Sequence, residues 1–384
     1  MSTFPHLRVS GSARDRGRQY GRGARERVQR SLAAYRDVFQ ARAGWDWDTV
    51  RREAGRYVDP IAALAPHYLE EMAGLAEGAG VERDDILALN VRTEVMYAAT
   101  ARAARRQALD GCSSFAVLPR RSRDRHTLIG QNWDWLPHAF DTVVVLEVAQ
   151  SEGPDFVTVV EAGLLAKSGM NAAGLGVAAN ALVCDQDRGE PGIPFHVVLR
   201  ALLDQASLAD ALSLLQAHRR SASANYLLAH RDGLALDVET APGDFSQVFV
   251  LLPDDGVLLH TNHFVSPRFT GTDVSVWAMP DSPLRLEQLQ EAVRSAGQEL
   301  DLDTFRAVLA DHAGHPGSVC AHPDPRVPEV DQGATVASLL IDLTAVRLWI
   351  ADGPPCTTPY RVLDYAPLFA DGARGSASTP ALVR

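Results

Sequence analysis

The stretch DGCSSF at residues 110–115 marks the point where the chain changes from a helical to an extended pattern. Apolar residues recur at helical spacing before it, and short runs rich in β-branched residues follow it. Cys112 is therefore predicted at the first residue of a strand, directly after Gly111. Because glycine adopts backbone angles that other residues avoid, a strained peptide bond is tolerable there. The Gly111–Cys112 bond is thus a candidate site of self-cleavage.

Cys112 can also supply its own base after such a cut. Attack of its thiol on the Gly111 carbonyl, followed by an N-to-S acyl shift and hydrolysis, would free the α-amine of Cys112. A free α-amine has a pKa of about 7.7–8.0, so it can deprotonate the neighbouring thiol near neutral pH. No histidine is needed in this mechanism, and Cys112 is a candidate amino-terminal nucleophile.

The order of predicted elements indicates layered antiparallel sheets. Helical patterns cover three segments, 12–43, 59–75 and 82–106. The second half is predicted to contain strands at 113–118, 126–132, 142–148, 156–161 and 174–182, helices at 195–204 and 208–218, strands at 222–229, 234–239, 247–252 and 257–260, helices at 283–296 and 302–311, and a hairpin of 335–343 with 345–350. Strands and helices that come in separate groups are typical of this class rather than of alternating βαβ units.

Composition excludes several function classes. The chain is 46% hydrophobic and 22% charged, as globular proteins are, and its formal net charge of -11 argues against a nucleic-acid partner. No apolar run is long enough to span a bilayer, so no membrane association is predicted. The amino-terminal residues lack the apolar core of a secretory signal, which favours a cytoplasmic location.

The remaining cysteines and the histidines do not form a common metal motif. Cys184 and Cys356 are interpreted as small buried hydrophobes. One group of residue types could hold a metal on composition alone: His312, His315, Cys320 and His322. Because their spacing is uncommon for a zinc site and a Pro-Gly pair interrupts them, the segment is interpreted as a plain loop. The sequence therefore predicts no metal and no cofactor.

Four motifs resemble those of a known family, in the same order along the chain. They are GCSSF at 111–115, QNWDW at 131–135, NAAGLGVAAN at 171–180 and HTNHF at 260–264, and GRQYG at 17–21 and GATV at 333–336 also fit. The sequence resembles the cysteine N-terminal nucleophile (Ntn) hydrolases of the isopenicillin N acyltransferase-like branch. Penicillin V acylases and bile salt hydrolases are more distant members of that class.

The resemblance implies both a fold and a reaction. The fold is an α+β four-layer αββα sandwich of two antiparallel sheets. Self-cleavage would leave two fragments, 1–111 and 112–384, which stay associated as one domain. The reaction is hydrolysis or transfer of an acyl group from a small-molecule amide or thioester through a Cys112 thioester, with water or an amine as acceptor. Acyl-coenzyme A remains open as a co-substrate.

The resemblance also assigns roles to individual residues. Asp134 would hold the new ammonium group of Cys112, because a carboxylate orients and stabilises the protonated amine. Ser114 would relay a proton during self-cleavage, since it lies two residues along the same strand face. Asp134 as a turn or capping residue, and Ser114 as an ordinary polar strand residue, are the structural alternatives.

Two asparagines are candidates for stabilising the tetrahedral oxyanion. Asn180 and Asn262 both follow apolar strand-like runs, and a side-chain amide can donate a hydrogen bond where negative charge develops. An Asx-turn at a strand end is the structural alternative. Trp135 and Asn225 are the candidates for substrate binding.

One position departs from the family pattern. Related proteins often carry an arginine where Ala321 stands, and Arg326 is a candidate to replace it. Two other functions remain open at this stage: a papain-like hydrolase that pairs Cys112 with a distant histidine and leaves the chain uncut, and a non-catalytic scaffold of the same fold.

Overall fold

The two halves of the chain contribute different elements. The computed structural model describes residues 3–103, 111–370 and 382–383. Its helices are α1 (Ala13–Gly23), α2 (Arg25–Ala43), α3 (Trp47–Ala54), α4 (Val58–Leu64), α5 (Pro66–Ala79), α6 (Arg83–Asn90), α7 (Arg92–Ala103), α8 (Phe195–Leu203), α9 (Leu208–Ala217), α10 (Ser275–Ala278), α11 (Ser282–Ala296), α12 (Leu302–Leu309) and α13 (Ala366–Ala370). Among the described residues, none of these helices is both long and apolar enough to cross a membrane.

Within the described parts of the chain, fifteen strands form two sheets. The strands are β1 (His6–Ser10), β2 (Ser113–Val117), β3 (Leu128–Trp135), β4 (Val143–Ala149), β5 (Phe156–Glu161), β6 (Ser168–Asn171), β7 (Leu175–Ala181), β8 (Ala224–His230), β9 (Leu234–Thr240), β10 (Val248–Leu251), β11 (Val257–His260), β12 (Ala334–Asp342), β13 (Arg347–Ala351), β14 (Arg361–Asp364) and β15 (Leu382–Val383). One sheet has the order β1-β4-β5-β6-β7-β8-β9-β10, and the other has the order β11-β2-β3-β12-β13-β14-β15.

Three hydrophobic cores separate four layers. Residues from the inner faces of both sheets, such as Ile129, Val145 and Leu339, form one core between the sheets. Helices α1 to α9 cover the outer face of the eight-stranded sheet through a second core. Helices α11 and α12 cover the outer face of the other sheet, where the rings of Phe115 and Phe305 stack 3.6 Å apart. The predicted αββα sandwich is confirmed.

The sheets are antiparallel with one exception. Strand β1 pairs in parallel with β4, from His6 opposite Val145 to Ser10 opposite Ala149. The sequence analysis missed β1, because five residues with a single buried position carry no clear alternation. The prediction of purely antiparallel sheets is therefore wrong for this pair.

Several element boundaries also differ from the predictions. The helical segment 12–43 is two helices that meet at Ala24, and the segment from Glu82 is two helices that meet at Val91; its predicted last residues, 104–106, lie outside the described residues. Strand β3 continues to Trp135 because it pairs with β12, so Asp134 lies inside a strand and not in a turn after one. Pairing with a distant strand extends an element beyond its own sequence signal.

The glycines of the GRQYG motif permit close packing of α1 on α5. A Cβ atom on Gly17 would lie 2.1 Å from the carbonyl oxygen of Glu71, and one on Gly21 would lie 2.2 Å from that of Leu75. Such distances exclude any side chain at either position. The motif therefore fixes the outer helical layer.

Candidate active site

Cys112 is buried immediately before β2, and hydrogen bonds hold its backbone at both ends. Its N–H donates a 2.6 Å bond to Asn262 Oδ1, and its carbonyl oxygen accepts a 2.7 Å bond from Arg285 Nη1. The Sγ atom lies 3.9 Å from the backbone carbonyl oxygen of Asp134. These contacts fix the thiol in the interior of the protein.

Gly111 leaves room for the guanidinium group of Arg285. A Cβ atom on residue 111 would lie 2.2 Å from Arg285 Nη2, well inside van der Waals contact. Arg285 is fully buried on α11 and also binds the Asp281 carboxylate one turn earlier. The structure therefore gives a steric reason for glycine beside Cys112, in addition to the backbone freedom expected from the sequence.

Asn262 faces Cys112 with its side-chain oxygen. Its Oδ1 accepts from both Cys112 and Arg285 Nη2, while its Nδ2 donates a 2.9 Å bond to the carbonyl oxygen of Ala181. The Asn262 N–H donates to Ser282 Oγ at 2.7 Å. In the uncut chain this side chain positions the nitrogen of Cys112, and its role as an oxyanion donor stays a prediction.

Asp134 lies beside Cys112 and is held by the neighbouring strand. It is opposite Thr335 in the β3–β12 register, and its Oδ1 accepts a 2.5 Å hydrogen bond from Thr335 Oγ1. Burial, and to a lesser degree the Asp134 charge, raise the pKa of the Cys112 thiol. The structure thus brings Asp134 and Cys112 together, while its predicted contact with a free amine stays a prediction.

Ser114, Asn180 and Asn225 form a buried chain between the sheets. Asn180 Nδ2 donates to Ser114 Oγ at 2.8 Å and to Asn225 Oδ1 at 3.2 Å, and Asn225 in turn donates to Asp237. Strands β7 and β8 place the two asparagines opposite each other. Asn180 Nδ2 also lies 3.3 Å from His260 Nδ1, so its contacts run to Ser114, Asn225 and His260, and its predicted oxyanion role remains untested.

An ion pair anchors the segment that carries Asn262. His260 Nε2 lies 2.8 Å from Glu239 Oε1, and both side chains are fully buried. The Glu239 carboxylate also accepts from the backbone N–H groups of Val265 and Ser266, at 2.6 and 3.0 Å. Burial lowers the pKa of His260, but the charges of Asp237 and Glu239 outweigh it and raise that pKa to about 9. His260 is therefore a cation at neutral pH.

Cys112 lines a cavity to which both halves of the chain contribute. The wall from α7 includes Arg92, Met96 and Tyr97, and the wall from β3 includes Trp133 and Trp135. Trp135, a predicted substrate-binding residue, also donates a 2.6 Å bond from Nε1 to Tyr35. Among the described residues, the lining does not include Asn225. The structure therefore places one of the two predicted pocket residues at the cavity.

Lys167, which the sequence analysis missed, lies in the same cavity. Its Nζ is 4.8 Å from the ring centroid of Trp133 and 6.0 Å from that of Phe195. Burial lowers the pKa of Lys167, and the charge of Lys167 in turn opposes the rise in the pKa of Cys112. The sequence did contain a signal, because Lys167 is the single lysine of a chain whose other basic residues are all arginine.

The cation nearest the backbone of Cys112 is Arg285, which was also missed. Arg326, the predicted substitute for an arginine at position 321, is exposed and pairs with Asp324 at 2.8 Å. Arg285 lies 173 residues from Cys112 along the chain. Its helix carries one other arginine, the exposed Arg294, so nothing in the sequence distinguished Arg285 from a surface residue.

A second group of side chains comes from the loop after α12 and the loop between β13 and β14. His312, Cys320 and His322, interpreted from the sequence as a loop without metal, come together with Cys356. The four potential ligand atoms all lie within 4.8 Å of one another. The sequence analysis did not associate Cys356 with this group because it lies two strands further along.

Comparison with known proteins identifies the family. A family model described as Acyl-coenzyme A:6-aminopenicillanic acid acyl-transferase matches residues 121–355. The chain belongs to this family. It is 26% identical over 292 residues to the acyl-coenzyme A:6-aminopenicillanic-acid-acyltransferase 40 kDa form of Emericella nidulans. The aligned residues cover 76% of each of the two chains.

Solved structures that are similar at lower identity include the following two. A mutant of the conjugated bile acid hydrolase from Clostridium perfringens has a TM-score of 0.46 and 13% identity, and covers 71% of this chain and 96% of its own. Penicillin V acylase from Agrobacterium tumefaciens has a TM-score of 0.42 and 14% identity, and covers 70% of this chain and 90% of its own.

Membership of the acyltransferase family makes this chain an enzyme of acyl transfer or amide hydrolysis. The match includes Asp134, Lys167, Asn262 and Arg285, and Cys112 lies nine residues before its first position. The residues that surround Cys112 therefore come from the shared part of the family.

Proposed function

We propose that this enzyme cleaves its own Gly111–Cys112 bond and then transfers or hydrolyses acyl groups through a Cys112 thioester. The observation that carries the proposal is the pair of contacts on Cys112, whose nitrogen is bound by Asn262 and whose carbonyl is bound by Arg285. Hydrogen bonds at both ends hold the thiol at one position in the cavity wall. A nucleophile needs that fixed position.

Self-cleavage would begin with attack of the Cys112 sulfur on the Gly111 carbonyl carbon. The peptide nitrogen leaves and takes a proton, so that Gly111 becomes a thioester on Cys112. Water then hydrolyses the thioester, giving a Gly111 carboxylate, the thiol and a free α-amine. Asn262 Oδ1, which already accepts from this nitrogen, would then accept from the amine.

The new amine would supply the base that the buried thiol needs. Burial raises the pKa of Cys112, so its thiol is protonated at neutral pH without help. The nearby guanidinium of Arg285 disfavours a second positive charge on the amine, which keeps the amine available as a base. Lys167 then stabilises the thiolate during attack on an amide or thioester carbonyl.

The two fragments, 1–111 and 112–384, would stay associated. Helices α1 to α7 share one hydrophobic core with the eight-stranded sheet, and α7 forms one wall of the cavity. The substrate would thus contact both fragments. Aromatic walls with buried cations suit a small acyl-amide or an amine acceptor. Acyl-coenzyme A, which the name of the Emericella nidulans relative includes, is the proposed alternative donor.

Intact-mass spectrometry of the purified chain beside Cys112→Ala tests the proposal. We expect two fragments in the wild type, the second beginning at Cys112, and one uncut chain in the variant. Cys184→Ala is the matched control, because Cys184 is also buried but its thiol contacts Ser223. The Cys184→Ala chain should be cut in the same way as the wild type. An uncut wild-type chain that still turns over amides would overturn self-cleavage.

A papain-like pair with His196 is the second candidate, because His196 lines the same cavity as Cys112. Burial, Arg92 and Lys167 hold the pKa of His196 well below its usual range, which makes it a weak base. His196→Ala should therefore leave cleavage of the chain intact. An uncut wild-type chain that turns over substrate, and that loses this turnover completely in His196→Ala, would favour the papain-like mechanism.

A further inference from the structure

The side chains of His312, Cys320, His322 and Cys356 converge from two separate loops. The first three follow α12, and Cys356 lies between β13 and β14. Cys320 is buried, His322 and Cys356 are half-buried, and His312 is exposed. Two thiols and two imidazoles therefore meet at one point just below the surface.

Three distances among the four ligand atoms lie near those of a tetrahedral metal site, and all four atoms lie within 4.8 Å of one another. His322 Nε2 lies 3.0 Å from His312 Nε2, 3.3 Å from Cys356 Sγ and 3.7 Å from Cys320 Sγ. With Zn–N bonds of about 2.0–2.1 Å and Zn–S bonds of about 2.3 Å, tetrahedral ligand atoms are roughly 3.3–3.8 Å apart. The atoms already lie close to the positions that a bound zinc ion requires.

The donor set also selects the metal. Two thiolates would balance the charge of a divalent cation, and a mixed set of two sulfurs and two imidazole nitrogens is typical of zinc. Four protein ligands leave no open position for water or substrate, so the ion would be structural. We propose that His312, Cys320, His322 and Cys356 bind one zinc ion that fixes the loop 311–322 on the sheet.

The loop is connected to the Cys112 site through Ala321, the residue between two of the ligands. Its N–H donates a 2.9 Å bond to Thr335 Oγ1, and its carbonyl accepts a 3.0 Å bond from the Thr335 N–H. Thr335 Oγ1 donates onward to Asp134. A zinc ion that holds Cys320 and His322 would thereby fix the orientation of the Asp134 carboxylate. This effect on Asp134 depends on the proposed function, whereas zinc binding does not.

Metal analysis of the full-length chain, purified without chelators from zinc-supplemented cells, tests the site. We expect about one zinc per chain in the wild type, and little in Cys356→Ala or Cys320→Ala. Cys184→Ala, which removes a buried cysteine elsewhere, should keep its zinc. Since loss of Cys320 could disturb folding, the exposed His312→Ala is the second variant, and it should release zinc to a chromogenic chelator at least about tenfold faster.

Cobalt substitution and thiol counting give independent outcomes. Co²⁺ in place of zinc should show the thiolate-to-cobalt absorption band in the wild type and lose it in Cys356→Ala. A zinc-free chain whose unreduced mass is two hydrogens lower would show a Cys320–Cys356 disulfide and overturn the proposal. Equal zinc in the wild type, Cys356→Ala and His312→Ala would place the ion elsewhere and overturn it as well.

The Cys112→Ala variant separates this proposal from the proposed function. We expect it to bind zinc as the wild type does, whether or not the chain is cut. Loss of zinc in Cys356→Ala combined with a normal kcat/KM for an amide substrate would support the metal site and reject its effect on Asp134. Zinc binding by an uncut, inactive wild-type chain would reject the proposed function alone.

Discussion

The two cysteine sites of this chain place their thiols in opposite surroundings. Cys112 is a buried thiol in the wall of a cavity, and the charges of Lys167 and Arg285 favour its thiolate. Cys320 and Cys356 lie near the surface and face imidazoles. A thiol beside fixed cations can become a nucleophile, whereas paired thiols beside imidazoles present their lone pairs to one metal. The neighbours, and not the residue type, decide the chemistry.

Different interactions anchor the Cys112 site on its two sides. The His260–Glu239 ion pair holds the segment that carries Asn262 on the Cys112 side. On the other side, the backbone of Ala321 holds Thr335, which in turn holds Asp134. Because the two anchors share no residue, each can be weakened separately.

Removal of Arg285 should have the largest effect on the Cys112 site. Arg285→Met breaks charged hydrogen bonds to the Cys112 carbonyl and to Asn262, each worth about 1.5–3 kcal/mol. We expect the rate of self-cleavage, followed by gel densitometry, to fall at least about 100-fold. Arg294→Met on the exposed side of the same helix is the control and should be cut normally. Equal rates in the two variants would show that Arg285 has no part in cleavage.

Alkaline pH should weaken the anchor on the Cys112 side. Folding raises the pKa of His260 to about 9, from about 6.5 in the unfolded chain. The protonated His260 therefore adds about 3 kcal/mol to the free energy of unfolding. This contribution is fully present below about pH 6.5 and is lost as the pH rises through about 9. Urea unfolding at several pH values should show the loss in the wild type. His260→Gln should show a smaller decline, and an identical decline in both would contradict the prediction.

Loss of the Thr335 hydroxyl should impair the Cys112 site and leave the zinc site intact. Thr335→Val keeps the shape of the side chain but leaves the buried Asp134 carboxylate without this donor, at a cost of about 1–2 kcal/mol. We expect kcat/KM for an amide substrate to fall about tenfold while zinc binding persists. Ser338→Ala is the control. It removes another hydroxyl from the same strand, one that bonds to Tyr360, and it should retain near-normal activity.

Neutralising Lys167 should have the smallest effect. Lys167→Met removes a charge that opposes the rise in the pKa of Cys112, so the thiolate becomes rarer at a given pH. Alkylation of Cys112 by iodoacetamide should slow about threefold to tenfold, and its pH profile should move to higher pH. Lys167→Arg should restore most of the rate. An unchanged profile in Lys167→Met would mean that the lysine does not influence the thiol.

The sequence by itself determined the framework of this protein. The change of pattern at Gly111 predicted Cys112 at the first residue of a strand, and the structure places it immediately before β2. The order of strands and helices predicted the layered fold. Motifs of consecutive residues also located Asp134 and Asn262. These features are local, since periodicity and short motifs are properties of neighbouring residues.

Only the tertiary structure decided which distant residues surround the thiols. Arg285 reaches Cys112 because α11 packs on the sheet next to β11, and Cys356 reaches His322 because a hairpin of strands returns beside the loop. Neither contact leaves a pattern in the sequence, because an arginine in an amphipathic helix and a lone cysteine in a loop resemble many others. Long-range contacts depend on how the layers pack, and the packing brings the cations to one thiol and the imidazoles to the other two.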